Sequence, residues 1–136
     1  MTAKILIADD HASVRRSIRT SLEQNGDYRV CCEAKDGLEA LQLAKQCKHD
    51  VVILDLLMPN LNGFRVAQEI SSALPEVPIV LHTLYGGAAV EQEAKKFGVD
   101  AVVSKVSSTG LKEVVEGLLS TVASTSSPEG DAVTSP

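Results

Sequence analysis

Apolar residues fall along this chain in two alternating patterns. Short continuous runs appear at 4–8 (KILIA), 51–54 (VVIL), 79–82 (IVLH) and 101–104 (AVVS). Runs of this length, rich in Val, Ile and Leu, predict strands covered on both faces. The stretch 28–34 (YRVCCEA) alternates more, as an edge strand does. Between the runs the apolar spacing is helical: Val14, Ile18 and Leu22; Leu38, Leu41 and Ala44; Ala67, Ile70 and Leu74; Val90, Ala94 and Phe97; and a broad stripe from Leu111 to Val122. Asn62 is placed to cap the third helix, Pro75 and Pro78 to end it, and Gly98 to end the fourth.

Five strands alternating with five helices over short connections predict an α/β fold, a doubly wound parallel sheet with helices on both faces. After Ser120 the sequence turns to TVASTSSPEGDAVTSP, rich in Ser, Thr, Pro and Gly. The expected division is a domain over 1–120 and a flexible linker or tail over 121–136.

The polar exceptions cluster at strand ends. In an open α/β sheet, ligands bind beyond the carboxyl ends of the strands. The first strand runs into Asp9, Asp10 and His11, the third into Asp55, the fourth into Thr83 and the fifth into Lys105. With strand order 2-1-3-4-5, strands one, three, four and five are neighbours and these ends share one rim. Three carboxylates in one pocket repel each other and invite a cation. Hard oxygen ligands suit Mg2+. Thr83 and Lys105 can meet an oxyanion, and Asp55 can act as a nucleophile toward phosphorus. Such a site explains why an acid ends the buried run VVIL.

Composition narrows the classes. The 136 residues suffice for one domain with its own core. The net charge of −5 argues against direct nucleic-acid binding by this segment. No apolar run reaches membrane-spanning length and no secretory leader is evident, so a cytoplasmic location is expected. Three cysteines, at 31, 32 and 47, suggest neither a disulfide framework nor zinc, and are expected to pack as small apolar groups. His49 is expected at the surface, His82 in packing, and His11 in a loop or cap. The bland reading of Asp9 and Asp10 is a cap on the first helix. A nucleotide or flavin site is disfavoured, because no glycine-rich loop follows the first strand.

The segments ILIADDH, VVILDLLMPNLNG, VLHT and GVDAVVSK together resemble the receiver domain of two-component response regulators, over about residues 3–120. DDHASVRRSIRTSLEQ is similar to the LuxR-type branch. The resemblance implies the flavodoxin-like receiver fold and a phosphoacceptor at Asp55. It implies Mg2+ held by Asp9, Asp10, Asp55 and the main-chain carbonyl of Leu57, with Thr83 and Lys105 contacting the phosphoryl group. It further implies phosphotransfer from a sensor histidine kinase, in a domain that is not itself an enzyme with a separate substrate. A shift in conformation would then control a partner, a second copy or an output domain, such as a C-terminal DNA-binding domain beyond residue 136. The chain departs from the family pattern at Leu84, usually a small residue, at Val102, usually aromatic, and at Val106, usually proline. Leu57 and Tyr85 stand where residues flank the acceptor. Two other readings compete: a receiver-fold binding module that works without phosphate, and an aspartate-nucleophile phosphatase. The phosphatase needs a second acid at position 57, where the chain has leucine.

Overall fold

The computed structural model describes residues 2–106 and 110–126. The elements alternate as the apolar pattern predicts: β1 (Ala3–Ala8), α1 (Ala12–Glu23), β2 (Tyr28–Ala34), α2 (Gly37–Gln46), β3 (Val51–Leu54), α3 (Gly63–Ala73), β4 (Ile79–Thr83), α4 (Ala88–Lys96), β5 (Ala101–Ser104) and α5 (Leu111–Ser126). The strands form one parallel sheet in the order β2-β1-β3-β4-β5.

Strand side chains alternate between two cores. Leu6, Ala8, Val52, Leu54, Ile79 and Leu81 face α2, α3 and α4, where they meet Ala40, Val66, Ile70 and Ala94. Ile5, Ile7, Val51, Ile53, Val80 and Val103 face α1 and α5, where they meet Ile18, Leu22 and Val115. β3 is buried at every position, and most of β1 and β4 with it, because apolar helices cover both faces, which is why these sequences do not alternate.

The edge strand β2 contains a bulge. Ile5 pairs with Val30, but the next residue, Leu6, pairs with Cys32, so Cys31 is the extra residue. Tyr28 and Val30 join the α1/α5 core, whereas Cys32 and Ala34 join the other. Without an extra residue, four positions of the same parity would share one face. The bulge therefore places Glu33, the partner of Ile7, on the α1 side of the sheet.

Helix ends follow local chemistry. Asn62 caps α3, its side chain accepting from the Arg65 amide at 3.0 Å. Asp36 caps α2 by accepting from the Glu39 amide at 2.8 Å. α3 stops at Ala73, ahead of Pro75. The N-cap of α1 is His11, and its side chain makes no capping bond.

Two expectations are corrected, on Cys32 and His49. α5 runs from Leu111 to Ser126, across the expected boundary at residue 120. Ser and Thr lower helix propensity only modestly, and the first strong breaker in the sequence is Pro128. The rest of the expected tail, 127–136, lies outside the described residues. Cys32 packs in the core as expected, but its sulfur is joined to that of Cys47 at the C-cap of α2; Cys31 is free. His49 is half-buried rather than exposed, because its Nδ1 turns back to 2.9 Å from the Cys47 carbonyl oxygen.

Candidate functional site

The carboxyl ends of β1, β3, β4 and β5 bring the expected residues together. Asp9 follows β1 and is 1% exposed, Asp55 follows β3 and is 6% exposed, and Thr83 ends β4 fully buried. Each is fixed through its backbone. The Asp9 amide donates to Ala34 O at 3.0 Å, the Asp55 amide to Ala8 O at 2.8 Å, and the Lys105 amide to Thr83 O at 2.8 Å. The ladder thus continues one step past the strands and delivers each side chain to the rim.

Lys105 is the hub of the pocket. Its Nζ lies 2.7 Å from Asp9 Oδ2 and 3.2 Å from Asp55 Oδ2. Burial works against the ammonium, but its bond to Asp9 and the charges of Asp9 and Asp55 outweigh that effect and hold its pKa above the ordinary lysine value. The Asp55 pKa is raised as well, which for an acid disfavours the charged form. Burial and then the Asp9 charge raise its carboxyl above the usual range, against the pull of Lys105. One ammonium does not balance three acids, so the pocket retains negative charge.

Asp10 is exposed and completes the cluster. Ligand atoms of Asp9, Asp10, His11 and Asp55 all lie within 4.8 Å of one another. Carboxylate oxygens dominate this set, which fits a hard divalent cation such as Mg2+. Asp9 and Asp10 are available to it because neither supplies the cap of α1. Instead, Asp9 Oδ1 accepts from the His11 amide at 2.9 Å in a tight turn. That turn sets the exposed His11 ring at the rim, with Nδ1 3.2 Å from Asp9 Oδ1 and 3.1 Å from Asp10 Oδ1. His11 does lie in the loop, at the N-cap position of α1, as expected, and its ring meets these two acids in addition. The turn had a sequence signal, since an Asp side chain commonly accepts from the backbone amide two residues on.

Leu57 lies in the turn after Asp55, with its side chain 55% exposed. Asn60, in the same turn, adopts a left-handed φ of 72° that asparagine tolerates, and its amide reaches Asp36 Oδ2 at 3.2 Å. The Thr83 hydroxyl accepts from the Tyr85 amide at 3.1 Å. His82 is half-buried beside the site. Burial and the nearby Lys105 push its pKa down to about 4, so the ring is neutral at pH 7. Four large apolar residues in the segments that follow β3, β4 and β5, Leu57, Leu84, Tyr85 and Val106, are each more than half exposed.

This parallel sheet, with acids beyond β1 and β3 and a lysine beyond β5, defines a receiver domain. A family model described as "Response regulator receiver domain" matches residues 5–116, and the chain belongs to that family. A probable transcriptional regulator ycf27 of Guillardia theta is 43% identical over 102 residues, covering 75% of this chain and 39% of the relative. The response regulator protein VraR of Staphylococcus saprophyticus is 31% identical over 121 residues, covering 89% of this chain and 57% of the relative. The chain thus spans less than two thirds of the length of these curated relatives. Among solved structures, the REC domain of AraT from Geobacillus stearothermophilus superposes with a TM-score of 0.81 at 34% identity, covering 93% of this chain and all of the other. A two-component response regulator of the LuxR family from Aurantimonas sp. SI85-9A1 gives 0.79 at 30% identity, covering 91% of this chain and 87% of that one.

Proposed function

We propose that Asp55 accepts a phosphoryl group from a sensor histidine kinase and that the resulting charge controls a partner or an output domain. One observation carries this reading: a buried carboxylate at a strand end, ion-paired to Lys105 and set among the acids Asp9 and Asp10. Asp55 Oδ attacks phosphorus, the bond from phosphorus to the donor nitrogen breaks, and the donor imidazole leaves with the electron pair. Lys105 faces the added negative charge as a mobile point charge, and the Thr83 hydroxyl is placed to donate to the phosphoryl oxygens. The carboxylates of Asp9, Asp10 and Asp55, with the Leu57 carbonyl, would hold a Mg2+ ion, which would supply charge neutralisation.

In a longer protein this unit would regulate transcription through a C-terminal DNA-binding domain, in the cytoplasm, and the phosphorylated form would pair with a second copy. The added charge shifts an existing equilibrium rather than creating a new fold.

The test is intact mass after incubation with acetyl phosphate. One phosphoryl group is gained with Mg2+ and none in chelator; no gain with Mg2+ refutes the proposal. The adduct is long-lived, because Leu57 and Tyr85 beside the acceptor carry no charged group to orient an attacking water. Decay within seconds in magnesium buffer would show that another group does so.

The exposure of Leu57, Leu84, Tyr85 and Val106 favours a second reading, a binding module that works without phosphate. Partner binding that ignores both Mg2+ and Asp55→Ala would establish it. A phosphatase has no such support, since position 57 offers no carboxylate as general acid.

A further inference from the structure

We infer that Arg15 is a positioning residue for the acidic pocket, holding the Asp9–Asp10 turn from the α1 side with Glu33 as its anchor. The inference rests on the proposed cation and phosphoryl site and adds a residue behind it. Arg15 is largely buried, its side chain 19% exposed. Its Nη1 donates to the main-chain oxygen of Asp9 at 2.8 Å, and its Nε donates to Glu33 Oε1 at 3.0 Å. The guanidinium fork thus spans the acidic turn and the edge strand.

Glu33 is itself fixed. Arg19, one helical turn after Arg15, donates its Nε to Glu33 Oε2 at 3.0 Å and adds a second bond through Nη2. Burial raises the Glu33 carboxyl, but bonds to Arg19 and Arg15 outweigh it and hold its pKa below the ordinary glutamate value. The carboxylate is therefore charged and saturated. It faces α1 only because the bulge at Cys31 turns it there.

Every other polar group of Asp9 is also engaged. Its amide bonds Ala34 O, Oδ1 accepts from the His11 amide, and Oδ2 accepts from Lys105. Like charge among Asp9, Asp10 and Asp55 pushes this turn apart. Resistance comes from Lys105 between the acids, from the ladder bond on one side of the turn and from Arg15 on the other. Without Arg15, a nearly buried carbonyl loses its partner and the turn can relax outward.

A plain structural clamp between α1 and β2 would treat Arg15 and Arg19 alike, because both hold Glu33. A positioning role would not, because only Arg15 touches Asp9. The experiment compares Arg15→Met, Arg15→Lys and Arg19→Met in the full chain. It uses two readouts: Mg2+ affinity by calorimetry without phosphodonor, and amide exchange at Asp9 and His11 in chelator. Arg15→Met is expected to weaken Mg2+ about tenfold, in line with other outer-shell partners, and to speed exchange at His11. Arg15→Lys falls between it and the parent, and keeps the comparison open if methionine disrupts the fold. Arg19→Met leaves both readouts near the parent. Equal effects at the two arginines, or unchanged exchange in both Arg15 variants, overturn the inference. Should the parent bind no Mg2+, the reading of the site fails, and the exchange result alone decides the role of Arg15.

Discussion

Asp55→Asn is expected to take up no phosphoryl group from acetyl phosphate and, in chelating buffer at neutral pH, to unfold at a higher temperature than the parent chain. The first effect follows from the lost nucleophile. The second follows from the cost of the charge. The folded chain holds the Asp55 proton more tightly than the unfolded chain does, because burial and Asp9 raise its pKa. Stability therefore falls as pH rises through that raised value, and asparagine escapes the loss. Lys105 loses one partner in the variant but keeps Asp9 at 2.7 Å. The advantage should be largest at neutral pH and above, where the parent carboxylate is ionised. It should shrink with acidification and vanish below the ordinary carboxylate range. Thermal melts across pH measure it. An unchanged midpoint at every pH would mean that the acids do not crowd one another, and a phosphorylated variant would place the acceptor elsewhere.

Gly63→Ala is expected to destabilise the chain by about 3 kcal/mol in urea unfolding. A Cβ at Gly63 would fall on the main-chain oxygen of Asp55 and within 2.9 Å of the Leu56 Cα. Both obstacles are backbone, so no side chain can swing away. The same region holds the bond from the Gly63 amide to Leu56 O at 2.7 Å, which closes the turn beneath the acceptor. Relief by backbone movement would drag Asp55, so phosphoryl uptake should slow as well. Gly86→Ala is the control. Its Cβ would meet only the Ser104 Cβ at 4.0 Å, and a change within about 0.5 kcal/mol is expected. Equal losses at the two positions would show that the close approach at Gly63 is unimportant.

Local signals made most of the fold legible. Unbroken runs such as VVIL predict buried parallel strands because nothing polar interrupts them. Asn62 and Pro75 bound α3 through chemistry confined to a few residues. The gathering of Asp9, Asp10, Asp55, Thr83 and Lys105 was readable because the topology places their strand ends together. What escaped was set by tertiary contact. The residues Tyr28, Val30, Cys32 and Ala34 look like one face, yet they divide between two cores. Only the pairing with β1 shows the extra residue. The contact between Cys32 and Cys47, the inward turn of His49, and the reach of Arg15 to Asp9 likewise depend on elements meeting in space.

The bulge at Cys31 also sets where the chain can change in length. Two residues of β2 answer one of β1 at this point, so loss of Cys31 would leave Val30 opposite Ile5 and Cys32 opposite Leu6, as they are now. Loss of Arg29 instead would put the residues on its two sides out of step, and one would have to trade its core for water. An edge strand that seems to need all seven of its residues thus carries one that counts for nothing in the ladder. Deletion is harmless to the register there and damaging two positions away.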